Sequence, residues 1–147
     1  MRMDIHRATY IMEQANYYGY SGKRVKGLIF CSRNEEAQQL AGFLAQLGVK
    51  AIALSGADSQ ERREQCIARL CDDDVAKEDR LEYLITVDIF NEGVDIPEIN
   101  QVLLLRPTES PIVFVQQLGR GLRKHEDKEF VVILDFIGNY TTNFMIP

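Results

Sequence analysis

The sequence is poor in the residues that build metal and disulfide sites. Its 147 residues include three cysteines, Cys31, Cys66 and Cys71, and two histidines, His6 and His125. An odd number of cysteines does not make a complete disulfide framework, and these cysteines and histidines do not form a zinc set. Because the cysteines lie in apolar, periodic stretches, we expect reduced thiols in the core, which suits a cytosolic protein.

Long apolar runs are missing as well. No stretch approaches the ~20 apolar residues of a membrane-spanning helix. The first seven residues, MRMDIHR, lack the apolar segment of a secretory signal. We therefore expect a cytoplasmic protein with no membrane partner.

The overall composition is that of one ordinary globular domain. Hydrophobic residues make up 46% of the chain and charged residues 27%, which excludes a disordered tail, a collagen-like fibre and a disulfide-stapled miniprotein. The formal net charge is -5, so bulk electrostatics alone would not hold this chain on a nucleic acid. Any contact with a polyanion must be local.

Short apolar runs alternate with segments of helical periodicity. Strands are predicted at residues 27–31, 49–54, 81–87, 101–105 and 130–136, and helices at residues 4–18, after Ser32, after Asp58 and at residues 111–122. Ser32 and Asp58 are each followed three residues later by a glutamate, the spacing of a capping box. The alternation predicts an α/β fold with a central, mainly parallel sheet and helices on both faces. Ligands are expected at the carboxyl ends of the strands.

Two further features concern the organisation of the chain. Residues 1–26 are predicted to form an N-terminal helix and lead-in, and residues 27–147 the domain itself. Residues 72–82 are rich in carboxylates, which fits a solvated loop or a metal site. The loop is favoured, because the acidic residues are too irregularly spaced for a calcium loop.

The helix predicted at residues 111–122 has two distinct faces. Gln116, Arg120 and Arg123 are spaced i, i+4 and i+7, opposite the apolar side. Two guanidinium groups pointing in one direction suit a phosphate chain. Gly119 and Gly121 would let another surface approach closely. The alternative is an amphipathic surface helix whose arginines face solvent.

A second candidate segment follows the strand predicted at residues 81–87. Thr86 and Asp88 lie at its carboxyl end, where open α/β sheets bind ligands. Gly93 would allow the backbone close to a ligand, and Asp95 could accept hydrogen bonds from a ribose hydroxyl. The alternative is a local turn in which Asp95 bonds to nearby amides ahead of Pro97.

Together these segments resemble the C-terminal RecA-like lobe of superfamily 2 helicases and nucleic-acid translocases, over residues 27–136. GLIFCSR at residues 27–33 resembles motif IV, and the Ser55-Gly56 pair with QERR at residues 60–63 resembles the signature that follows it. Residues 86–97 resemble motif V, and QQLGRGLR at residues 116–123 matches motif VI. The residues of motif VI and the segment RPTESP at residues 106–111 are most similar to the matching segments of restriction-enzyme motor subunits and related DEAD/DEAH-type proteins.

The resemblance implies a role for each matching residue in an ATP site. Arg120 and Arg123 would be arginine fingers that reach the γ-phosphate of ATP, where such groups stabilise charge in phosphoryl transfer. Gln116 would link that site to the nucleic-acid track. Gly93 and Asp95 would contact the sugar of the nucleotide.

The resemblance also implies a track for the sugar-phosphate backbone of one strand. Its residues would be Ser32, Arg33, Gly56, Arg63 and Thr86. Contacts of this kind give little base specificity. They are compatible with an acidic chain, because a few donors at strand ends and helix N-termini can hold phosphates. The similarity to restriction-enzyme motors favours DNA over RNA.

Half of an ATPase site is missing from the sequence. There is no GxxxxGK[ST] loop, since the candidate glycine-lysine pair at residues 22–23 has Tyr17 where the first glycine belongs, and no strand is followed by a DExx box. ATP and Mg2+ would therefore be held mainly by an N-terminal RecA-like lobe of the same full-length chain. We expect the 147 residues alone to be inactive as an ATPase.

Two other functions are considered. One is a non-catalytic nucleic-acid-binding or protein-interaction domain that keeps the lobe fold without the motor. The other is a flavodoxin-like or small-molecule-binding α/β domain. That second class would need a glycine-rich phosphate loop after the first strand, where this chain has Cys31, Ser32, Arg33 and Asn34.

Overall fold

A computed structural model of the chain describes residues 3–87, 98–106, 130–136 and 142–146. The elements, in chain order, are α1 (Ile5–Tyr18), β1 (Gly27–Phe30), α2 (Asn34–Gln46), β2 (Ala51–Ala53), α3 (Gln60–Cys71), a 3-10 turn (Lys77–Asp79), β3 (Tyr83–Thr86), β4 (Gln101–Leu104), β5 (Val131–Asp135) and β6 (Thr142–Ile146). The five predicted strands are present, each somewhat shorter than predicted. The helix predicted at residues 111–122 lies outside the described residues.

The strands form one sheet in the order β2-β3-β1-β4-β5-β6. The first five are parallel to their neighbours, and β6 is antiparallel to β5. The predicted α/β fold with a mainly parallel sheet is confirmed. The edge strand β6 was not predicted, because the short run TNFMI carries no pattern that separates it from a loop, and its partner lies earlier in the chain.

Helices cover both faces of the sheet, which gives three layers. On one face, α1 and α2 pack over strand residues that include Ile29, Ile85 and Leu103. On the other, α3 packs over the alternating residues, among them Leu28, Leu84 and Val102. All four residues of β1 and of β3 are buried. This explains why both strands are continuous apolar runs.

The helices begin differently from the sequence-based prediction in two cases. α1 covers almost the whole of the helix predicted at residues 4–18, and Asp4 is its N-cap, since its carboxylate accepts a hydrogen bond from Arg7 N at 2.8 Å. The capping box predicted at Ser32 is wrong, because α2 begins one residue later and has Arg33 at its N-cap with no side-chain cap bond. The cap predicted at Asp58 is also wrong, and Ser59 caps α3.

Two buried side-chain amides hold the segment between α1 and β1, the lead-in, at the edge of the sheet where the parallel strands begin. This edge is called the amino edge below. Asn100 Nδ2 donates to the carbonyls of Ser21 and Arg24 at 2.9 and 2.8 Å, and its Oδ1 accepts from Lys26 N. Next to it, Gln101 Nε2 donates to the carbonyls of Ala15 and Gly19 at the end of α1. These bonds attach the N-terminal helix and its lead-in to the same sheet that carries the rest of the fold.

The acidic stretch at residues 72–82 is a loop with one 3-10 turn at this amino edge. Arg24 Nε and Lys26 Nζ lie 3.1 and 3.3 Å from the Asp73 carboxylate. The hydrogen bond from Arg24 is the main reason that the pKa of Asp73 is below its ordinary value. Lys26 also donates to Cys71 O. The loop is therefore fixed by basic side chains from the segment before β1.

The three cysteines are free, with Cys31 and Cys66 buried and Cys71 half-buried, as the apolar periodicity predicted. Among the helices in the described residues, none is both long and apolar enough to span a membrane.

Candidate functional site

The carboxyl edge of the sheet brings together the residues predicted to form the nucleic-acid track. Strands β2, β3 and β1 are neighbours and parallel, so their chains leave the sheet at the same edge. Ser32 and Arg33 follow β1, Gly56 follows β2, and Thr86 is the last residue of β3. Arg63 joins them from the second turn of α3.

Backbone hydrogen bonds continue past the ends of these strands and hold their exits together. Cys31 N donates to Thr86 O at 2.8 Å, and Leu54 N donates to Ile85 O at 2.8 Å. The chain leaving β3 is therefore fixed on both sides. The position of the candidate residues relative to one another is set by the sheet rather than by the loops.

Ser32 and Arg33 are exposed just before α2 begins. The N-terminus of a helix of 13 residues lies there, and its free amides and dipole favour an anion. Glu35 and Glu36 in the first turn oppose that attraction. The sheet edge is therefore suited to a few directed phosphate contacts and not to a broad basic surface.

Gly56 and Arg63 are connected by a hydrogen bond from Arg63 Nη2 to Gly56 O, 3.0 Å long. The turn that presents Gly56 is closed by Asp58, whose carboxylate accepts from Ser55 N at 2.7 Å and lies 3.1 Å from Arg62 Nε. These two bonds occupy Asp58, which explains why Ser59 takes over as the cap. Gly56 is exposed, and a Cβ built on it would meet nothing within 4 Å.

Arg63 carries an unusual donor. Within the described part of the chain, its Nε is buried and has no hydrogen-bond partner. Buried polar groups are rarely left in that state, because the lost hydration is not replaced.

Thr86 is fully buried, with 0% of its surface exposed. The sequence-based prediction placed it on the track, and the structure places it at the same edge but below the surface. Behind it, the Cys31 thiol is also buried, and burial together with the neighbouring Glu36 carboxylate raises its pKa above the ordinary value. The Cys31 thiol therefore stays uncharged inside the edge, and Ser32 and Arg33 are exposed beside it.

The residues predicted for the ATP site lie outside the described residues. They are Gln116, Arg120, Arg123, Gly93 and Asp95. Their roles stay predictions.

Arg106 is a further residue of this edge, and no role was predicted for it from the sequence. It follows β4, and its Nη1 donates to Val87 O at 2.7 Å. A charged residue at the end of the buried run at residues 101–105 was the available signal, but nothing in the sequence identified its partner.

The fold and the sequence together decide the family. Residues 10–125 match the family of the helicase conserved C-terminal domain. The chain belongs to this family. The match begins inside α1, so most of the described residues, including the candidate track, fall within it.

Relatives of this helicase C-terminal domain are much longer proteins. The chain is 33% identical over 111 residues to a Saccharomyces cerevisiae protein named as an ATP-dependent helicase, IRC3, covering 76% of this chain and 15% of that protein. It is 30% identical over 112 residues to the ATP-dependent RNA helicase DRS1 of Yarrowia lipolytica, covering 76% of this chain and 14% of that protein. The chain thus spans only a small part of the relatives that it matches.

A solved structure shows the same fold. The DEAD-box protein SrmB of E. coli, crystallised with a regulator of ribonuclease activity, matches with a TM-score of 0.61 and 21% identity. The alignment covers 90% of this chain and 72% of that one. The helicase C-terminal domain therefore has the RecA-like architecture that the resemblance implied.

Proposed function

We propose that this chain is the C-terminal lobe of an ATP-dependent superfamily 2 helicase or translocase, and that it works with an N-terminal RecA-like lobe of the same full-length polypeptide. One observation carries the proposal. Ser32, Arg33, Gly56, Arg63 and Thr86, chosen from motifs separated along the sequence, meet at one edge of three adjacent strands.

The track would run across this edge. Arg63 supplies a guanidinium that is oriented by Gly56 O and carries a buried Nε with no partner among the described residues. A phosphate oxygen would bind this guanidinium. Exposed Gly56 lets the sugar-phosphate backbone approach, and Ser32 and Arg33 extend the contact along the start of α2. The donors are few, which agrees with the net charge of -5 and with recognition of the backbone instead of bases.

The ATP site would be completed between the two lobes. On this proposal Arg120 and Arg123 act as arginine fingers, Gln116 connects them to the track, and Gly93 with Asp95 contacts the nucleotide sugar. The N-terminal lobe would hold ATP and Mg2+, because the sequence of this chain has no Walker A loop. Fingers of this kind accelerate phosphoryl transfer by about 10³ to 10⁵.

We propose DNA as the track, on the similarity of the segments at residues 106–111 and 116–123 to restriction-enzyme motors. A relative such as DRS1 is named as an RNA helicase. Single-stranded DNA and RNA of the same sequence should be compared for how strongly they stimulate ATP hydrolysis by the full-length polypeptide. Stronger stimulation by DNA would support a DNA track, and stronger stimulation by RNA would contradict it.

The test uses the full-length polypeptide that carries this domain. Arg120→Ala or Arg123→Ala should lower kcat for ATP sharply and leave nucleic-acid affinity nearly unchanged. Arg63→Ala should weaken nucleic-acid binding and reduce its salt dependence. Arg69→Ala is the matched control, since Arg69 also lies in α3 but donates to Asp79 O near the amino edge, at 2.8 Å.

The results separate the proposed motor from a non-catalytic domain that only binds nucleic acid or protein. Equal losses of ATP turnover and binding in the Arg120 and Arg123 variants would indicate a simple polyanion patch and contradict the arginine-finger role. Saturable ATP hydrolysis by the 147 residues alone would contradict the two-lobe site.

A further inference from the structure

Arg106 connects two strands that do not pair with each other. Strands β3 and β4 lie on opposite sides of β1, so no backbone ladder joins them. The Arg106 side chain nevertheless reaches Val87 O, with a distance of 2.7 Å from Nη1. The guanidinium therefore spans the place where the central strand β1 leaves the sheet.

This bond lies just beyond the last backbone bonds of the parallel ladder. At the end of β1, Cys31 N donates to Thr86 O, and Leu105 N donates to Phe30 O at 2.8 Å. From there β1 continues into Ser32. Arg106 and Val87 are the next residues on either side of it. Their hydrogen bond holds the chain that leaves β3 and the chain that leaves β4 at a fixed separation.

The bond has the character of a positioning contact. Arg106 is half-buried and its Nε is buried, so its guanidinium is held within the edge and is not extended into solvent. Hydrogen bonds from charged donors are stronger than neutral ones. A planar guanidinium also keeps its direction better than an ammonium group on a flexible stem. The Arg106 bond thus extends the hold on this chain by one residue, from Thr86 to Val87.

We propose that Arg106 is a positioning residue for the nucleic-acid track: by binding Val87 O across the exit of β1, it holds the chain just after Thr86 next to the segment that leads from β1 into Ser32 and Arg33. The inference rests on the proposed function, because it assigns Arg106 to the same track. Arg106 acts through the backbone of Val87 and does not itself bind a phosphate.

The experiment compares three variants of the full-length polypeptide: Arg106→Gln, Arg106→Lys and Arg80→Gln. Arg80 is the matched control, because it is also half-buried and also donates to backbone carbonyls, those of Val75 at 3.1 Å and Asp73 at 2.7 Å, but at the amino edge. The readout is the Kd for a labelled single-stranded oligodeoxythymidine at several salt concentrations.

Arg106→Gln should weaken binding by about tenfold, the size expected for losing one charged hydrogen bond. Arg106→Lys should recover part of the affinity, since it keeps a cationic donor. Arg80→Gln should bind like the parent. The slope of log Kd against log salt should be the same in all four proteins. A slope reduced by about 0.7 in Arg106→Gln would mean a direct phosphate contact and would overturn the positioning role.

Hydrogen exchange separates this inference from the proposed function. Arg106→Gln, but not Arg80→Gln, should speed exchange of the Cys31 amide, which is bonded to Thr86 O. Unchanged exchange would overturn the role of Arg106 even if the parent protein binds nucleic acid. Faster exchange with unchanged Kd would also overturn it. A parent protein that binds neither DNA nor RNA would overturn the proposed function itself, and the Arg106 inference with it.

Discussion

The ring of Tyr83 lies directly against the backbone of Gly27. The two residues are partners across the β1–β3 ladder, and a Cβ built on Gly27 would come within 2.3 Å of Tyr83 Cε1. Tyr83 is buried, and its hydroxyl donates a hydrogen bond to Gln101 Oε1. The ring is therefore held where only a glycine fits beside it.

Gly27→Ala should destabilise the fold by about 1–3 kcal/mol, because the added methyl group overpacks a buried site. Urea unfolding followed by circular dichroism would measure this loss. Gly42→Ala is the control, since Gly42 lies in α2 and a Cβ there meets nothing within 4 Å. It should be neutral or stabilising, by up to about 1 kcal/mol. Equal stability of the two variants would contradict the packing described for Tyr83.

Gln101→Leu should lower stability by roughly 1–3 kcal/mol, because buried groups lose their partners. Gln101 Nε2 donates to Ala15 O at 3.0 Å and to Gly19 O at 2.8 Å, at the end of α1. Faster hydrogen exchange in the last turn of α1 would report the release of that helix. Gln39→Leu, at an exposed position of α2, should leave both measurements unchanged.

Stability should fall as the pH rises above about 9. Burial raises the pKa of Cys71 from 9.0 to about 12, and it also raises the pKa of Cys31 and Cys66. Above pH 9 the unfolded chain therefore loses thiol protons that the folded chain keeps, and this favours unfolding. Urea midpoints at pH 7, 9 and 10 would measure the effect.

Cys71→Ser should flatten that decline, since the hydroxyl does not ionise in this range. Thiol-directed reagents should also react slowly with the native protein and rapidly after unfolding, because the thiolate is the reactive form. Rapid modification of all three native thiols at pH 8 would contradict the burial described here.

Gly56→Ala should separate folding from binding. The new methyl group meets nothing within 4 Å in the chain, so stability should change by no more than about 0.5 kcal/mol. If a strand backbone passes over Gly56, affinity for single-stranded DNA should fall about fivefold, or roughly 1 kcal/mol. Unchanged affinity would remove Gly56 from the proposed track. Gly42→Ala again serves as the control.

The strands and the location of the site could be predicted because both depend on residues that are neighbours in the sequence. A strand buried on both faces is a continuous apolar run, so the segments at residues 27–31 and 81–87 could be recognised without knowledge of their partners. The chain then has to turn at the carboxyl end of each strand, which placed Ser32, Gly56 and Thr86 at one edge. That Thr86 lies below the surface could not be predicted, because its cover comes from other segments.

Helix starts were predicted less well, because several side chains compete for the same amides. The spacing of Ser32 and Glu35 and that of Asp58 and Glu61 both suggest a capping box. In the structure α2 begins too late for Ser32 to cap it, and Asp58 is occupied by Ser55 N and Arg62. In each of the two helices, the observed cap position is one residue after the predicted one. The sequence pattern does not distinguish between two neighbouring cap positions.

The sequence by itself determined the alternation of strands and helices, the family motifs and the absence of a Walker A loop, since each of these is written in neighbouring residues. Tertiary structure decided the contacts between Arg106 and Val87, Tyr83 and Gly27, and Gln101 and the end of α1. Each of these pairs joins residues far apart in the chain. No local pattern identifies such a partner, because the sheet order that brings the two together is set by packing of the whole domain.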